Sequence, residues 1–150
     1  MVLSMAVIAS SQNGYSSEEV DSSPYVVDAV VVNDKSVELE FKLKNNSKDK
    51  LIFYSDLLSR DNVVLYISKS TAYGGILEEL GAIDDPDVGR IEIKSGESYS
   101  SKLNLERIFP SIRKELAKKE LLLFWSTEVK TVDGKFSNRF GGYLSLNKNK

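Results

Sequence analysis

A chain of 150 residues, 41% hydrophobic and 28% charged, has the composition of a soluble globular domain and enough length to bury one core without staples. Its formal net charge of −2, with acids and bases interspersed, gives no general attraction to phosphate backbones or anionic lipid, so nucleic acid is not an expected partner. With no cysteine and no histidine, disulfides, thiolate nucleophiles, Cys or His zinc sites and any triad with an imidazole base are excluded.

Residues 1–24 form an apolar start and a linker. The first nine, M-V-L-S-M-A-V-I-A, read either as a remnant of a secretory signal or as an apolar first segment, and are far too short to span a bilayer. The secretory reading makes the expected location secreted or periplasmic, with the cytoplasm as the alternative. Residues 10–24 are polar and serine-rich, as a flexible linker is.

The folded domain is expected over 25–146, with 147–150 as a polar tail. Residues 25–32 are rich in β-branched side chains and turn at 33–35 into the clearest pattern in the chain. There Val37, Leu39, Phe41 and Leu43 alternate with Glu38, Glu40, Lys42 and Lys44, which describes a strand buried on one face and wet on the other. Residues 51–54 and 62–68 are further short strands.

The span 69–88 is a long excursion with a helical turn expected at 76–80. Strands resume at 89–94 and 99–105, with Tyr99, Ser101, Leu103 and Leu105 in phase, separated by the turn Ser95-Gly96-Glu97. Phe109-Pro110 breaks the pattern, and 111–119 is a helix former with Ile112 and Leu116 on one side. In 120–130, Leu121, Leu123, Trp125, Thr127 and Val129 share a face, while Leu122 and Phe124 lie on the other. That strand should be central, its second face covered by the preceding helix. Asp133-Gly134 signals a hairpin back through 136–146, where Gly141-Gly142 mark a bulge or a close backbone approach. About seven or eight strands, with turns roughly every ten residues and one short helix, describe an all-β, immunoglobulin-like antiparallel β-sandwich.

Two turn signatures carry a family resemblance. Residues 43–51, L-K-N-N-S-K-D-K-L, resemble the V-x-N-x-S-x-x-x-(V/L) strand-turn-strand element of bacterial immunoglobulin-like accessory domains. Residues 91–105, I-E-I-K-S-G-E-S-Y-S-S-K-L-N-L, are similar to their I-x-L-x-P-G-E-S-x-x-x-x-x-D-L element, followed in many by an aromatic-Pro pair such as Phe109-Pro110. Asn46 and Ser47 are expected to tighten the first turn by side-chain hydrogen bonds, and Gly96 to supply a positive φ in the second. Ser95 stands where those domains have Pro, Asn104 where they have Asp, and the helical insert is unusual. Such domains occur beside the catalytic domain of some secreted metalloproteases and as stand-alone exported proteins. The resemblance implies a binding role without catalytic residues.

Site chemistry is sparse. Asp84, Asp85 and Asp87, with Glu78 and Glu79, form the acidic cluster, but the D-x-[DN]-x-[DN]-G calcium-loop spacing is missing, so they read as solvated loop acids. No metal and no cofactor is expected. The serines lack an S-x-x-K motif with its partner elements, and the chain is read as not an enzyme. Tyr66, Tyr99, Tyr143 and Trp125 offer a sugar-stacking face or core aromatics; the strand phase favours core. Asn45-Asn46-Ser47 matches a glycosylation sequon.

Long loops in compact domains are often functional, so Tyr73, Ile76, Leu77 and Leu80 form the expected contact patch, with a lid tucked under the sandwich edge as the alternative. The expected function is a non-catalytic module that binds a protein partner. A carbohydrate-binding or adhesion module, and an inhibitor or immunity protein of a hydrolase, are the alternatives.

Overall fold

The computed structural model describes residues 23–33, 35–69, 75–80 and 88–147. Strands β1 (Tyr25–Asn33), β2 (Val37–Asn45) and β6 (Ser98–Asn104) form one antiparallel sheet in the order β1-β2-β6. Strands β4 (Val63–Lys69), β7 (Leu121–Lys130) and β8 (Ser137–Leu146) form a second, in the order β4-β7-β8. A short pair, β3 (Leu51–Tyr54) with β5 (Arg90–Ile93), closes one side. Phe53 bridges Thr131 just past the end of β7, so β3 and β4 follow β7 as one interrupted strand, with 55–62 looped out between them.

This is the antiparallel β-sandwich that the alternating patterns predict. β1, β2 and β6 stand where strands A, B and E of an immunoglobulin-like sandwich stand, and β7–β8 form the last hairpin of the opposite sheet. β5 departs from that scheme by pairing with β3. Val37, Leu39, Phe41 and Leu43 are all fully buried, and Leu121, Leu123, Trp125, Thr127 and Val129 face them from β7. The two layers meet edge to face where Phe41 and Trp125 lie 5.2 Å apart at 68°. Tyr25 stands at 90° to Phe53, 5.3 Å away, and donates its hydroxyl to the Val129 carbonyl at 2.7 Å. Burial pushes that phenol above its ordinary pKa.

Several local expectations change. The strand that was to run through Leu105 stops at Asn104, whose side-chain oxygen accepts from the Glu106 and Arg107 N–H groups and starts a helical turn, α1 (Leu105–Ile108). Asn caps a helix as well as Asp does, so Asn104 serves this turn as an Asp would. The predicted helix at 111–119 is the short α2 (Ile112–Leu116), so two helical turns join β6 to β7. Their Leu105, Ile108, Ile112 and Leu116 enter the core, so they plug the sandwich and leave the second face of β7 uncovered. The 76–80 helical turn is absent. Ile76 bridges Ser68 in extended form, Leu77 N–H donates to the Ile67 carbonyl and Leu80 N–H to the Ile108 carbonyl.

The residue that tightens the first turn is Asn45 rather than Asn46. Its side-chain oxygen accepts from the Ser47 N–H at 2.9 Å and the Ser47 hydroxyl at 2.7 Å. Gly96 takes the expected positive φ of 77°. Because Asn45 is the acceptor of the sequon and is fully buried, the folded domain does not present it for glycosylation.

Candidate functional site

The two outer faces of the sandwich differ in chemistry. On the β1-β2-β6 sheet, Glu38, Glu40, Lys42 and Lys44 of β2 point outward, and Lys102 of β6 reaches Glu40 at 3.6 Å and Glu38 at 3.9 Å. Across β2 and β6 that is a solvated ladder of mixed charge, and the adjoining β1 adds Val26, Val30 and Val32 beside Asp28.

On the β4-β7-β8 sheet, register places Tyr66, Phe124 and Tyr143 side by side across all three strands. They are 53%, 41% and 63% exposed. Phe124 and Tyr143 have ring centroids 6.2 Å apart and tilted by 42°. Val64, half exposed, lies in the next row with Ser126 and Gly141, and Ser68, Leu122 and Ser145 make the row on the other side. Ile76, 66% exposed, extends this last row through its bridge to Ser68. Contiguous exposed apolar surface of this kind marks contact sites on folded proteins.

Beyond Val64 the face turns polar. Asp61, Asn62, Val64, Ser126, Glu128, Lys130 and Arg139 surround an open depression of about 360 Å³. Glu128 is held by Lys130 Nζ at 3.0 Å and the Ser137 hydroxyl at 2.8 Å, with Arg139 at 3.9 Å. The Lys130 hydrogen bond, then that of Ser137, holds its carboxyl below the usual glutamate range. Gly141 of β8 pairs with Ser126 of β7, one of the lining residues. A Cβ there would sit 2.9 Å from the Trp125 carbonyl oxygen, so the close backbone approach requires glycine; the β7–β8 register is continuous and holds no bulge.

Of the contact residues expected from sequence, Tyr73 lies outside the described residues. Ile76 is exposed on the face just described, Leu77 is buried in the core, and Leu80 is exposed beside α1. The extended backbone sends Ile76 out and Leu77 in, which a helical turn would not. Glu79 pairs with Arg60, and Asp84, Asp85 and Asp87 lie outside the described residues. Trp125 is core and Tyr99 half-buried, as the strand phase implies, but Tyr66 and Tyr143 are surface residues. Their outward direction was legible, since Tyr66, Phe124 and Tyr143 all sit out of phase with the buried positions of their own strands.

No protein-family model matches the chain, and no curated protein matches it. No helix among the described residues is long and apolar enough to cross a membrane.

Proposed function

We propose that the chain is a non-catalytic binding module that works by protein–protein contact through the outer face of its β4-β7-β8 sheet. The observation that carries this reading is the exposed Tyr66–Phe124–Tyr143 row, set against the charged ladder on the opposite outer face. Aromatic side chains are enriched at protein interfaces and give large contact area for few lost rotors.

Chemistry at the neighbouring depression has little support. General acids need a carboxyl raised towards neutrality. Here the lining carboxylate Glu128 is displaced downward, first by the hydrogen bond from Lys130.

The test is affinity capture from the native source with the wild type and with Phe124→Lys, followed by titration of each against the purified captured protein. A loss of at least about tenfold in affinity is expected for the variant. Equal affinities would remove this face from the function.

A further inference from the structure

The outer face has a left–right relationship about its middle strand that an ordinary contact surface does not need. β4 and β8 both run antiparallel to β7, so they are parallel to one another and flank it at matched heights. A two-fold axis lying in a face-to-face contact, along β7, would set each β4 position of one copy over the β8 position of the other at the same height. Three successive rows then meet their counterparts.

In the first row Tyr66 meets Tyr143 of the second copy, and Phe124 meets its own equivalent. In the second, Val64 projects where Gly141 of the second copy has no side chain, a knob over a gap. The third row is Glu128 with Arg139, and the turn Arg60–Asn62 stands on its β4 side. Asp61 of that turn lines the same depression as Arg139, so the operation carries Asp61 of each copy to the Arg139 side of the other, twice by symmetry. Glu128 meets its own equivalent, but Lys130 lies 3.0 Å from it in each chain, so that stretch is neutral as a whole.

We infer that the occupant of this face is a second copy of the chain, docked sheet to sheet about a two-fold axis parallel to β7. The inference rests on the reading of the face as a protein-contact surface and names its partner. Three strands at about 4.8 Å and ten residues at about 3.3 Å give a face of roughly 14 by 33 Å, on the order of 450 Å² a side. Standard interfaces bury about 800 Å² per partner, so the dimer is weak and forms at micromolar concentrations and above.

Sedimentation equilibrium on the full chain, from roughly 1 μM to 1 mM, tests this. The wild type should show a monomer–dimer equilibrium that Phe124→Lys abolishes. Asp61→Arg and Arg139→Asp should each weaken it by about tenfold or more, and the double variant should regain most of the loss, because the exchanged charges again meet across the axis. Circular dichroism and urea midpoints confirm that each variant folds. A wild type that stays monomeric throughout, a dimer untouched by Phe124→Lys, or a double variant no better than the singles would each overturn the assignment. A monomeric wild type whose Phe124 still governs binding to a captured protein would overturn self-pairing alone; a Phe124 that matters in neither experiment would remove both readings.

Discussion

The side-chain amide of Asn45 donates to the Ile93 carbonyl at 2.9 Å, so a single fully buried polar residue ties the β2–β3 turn to β5. The same amide donates to the Asp49 carbonyl, and the backbone of Asn45 exchanges hydrogen bonds with Gly96 N–H and the Glu97 carbonyl. Ser95 adds its hydroxyl to the Ser47 carbonyl at 2.7 Å. The two turn signatures that read as separate motifs in the sequence are therefore one device, packed against each other.

Removing that residue should be costly out of proportion to its size. Asn45→Ala leaves buried donors and acceptors without partners, and a loss of about 2–4 kcal/mol is expected. Asn46, next door and exposed, should tolerate Ala within about 0.5 kcal/mol. Urea unfolding at unchanged m-value measures both, and equal midpoints for the two variants would refute the assignment of the turn to Asn45.

The adjacent glycines of β8 should separate in the same assay. At Gly141 a methyl group meets the Trp125 backbone oxygen at 2.9 Å, and backbone cannot swing aside, so Ala should destabilise by about 1–3 kcal/mol. At Gly142 the nearest atom is Trp125 Nε1 at 3.4 Å, a side-chain contact that can give. The lost freedom of the unfolded chain offsets part of that strain, so Gly142→Ala should cost less than Gly141→Ala. Trp125 is the single tryptophan, and its emission reports on the Gly142 change directly. A reversed order of the two costs would contradict the geometry.

Most of the architecture was legible because alternation of period two fixes which side chains share a face, and β2 alternates over its whole length and β7 from Trp125 onward. What was missed has physical causes. Asn104 reads equally as a strand residue or a helix cap until its neighbours are placed, which hid α1. Leu122 and Phe124 look like a second buried face, since apolar residues on both sides of a strand usually mean cover on both. Only the strand order reveals that Tyr66 and Tyr143 are their neighbours, because that order is a long-range property that local pattern does not contain. Of the residues expected from sequence to make contact, Ile76 is the one that the described structure places on this face.

Acid should reveal the Glu106 linkage. Its carboxylate accepts from Arg113 at 2.7 Å and from the Val37 N–H at 2.8 Å, and these bonds, Arg113 first, hold its pKa below the ordinary value. A depressed carboxyl means the native state binds its proton less readily than the unfolded chain does. Its contribution is therefore complete above the unfolded pKa of about 4.3 and drains away as pH falls through the lower native value. Glu106→Gln, which does not titrate, should be less stable than wild type at pH 7 and converge with it in acid. Urea midpoints taken from neutral pH down to about pH 3 check this, and two parallel curves would show that the pair contributes nothing to folding.

Leu123 and Phe124 are adjacent on β7 and should respond in opposite ways to truncation. Leu123 is fully buried, so Leu123→Ala removes core contacts and leaves a cavity, for a cost of about 2–5 kcal/mol. Phe124 is 41% exposed and touches only the outer face, so Phe124→Ala should forfeit about 0.5–1 kcal/mol of cross-strand aromatic contact. A three-strand aromatic row with so small a contribution to folding would be poorly explained by stability. Unfolding free energies of the two variants decide the matter. If Phe124→Ala destabilised as much as Leu123→Ala, the row would be part of the packing, and the argument that it exists for contact with another protein would lose its foundation.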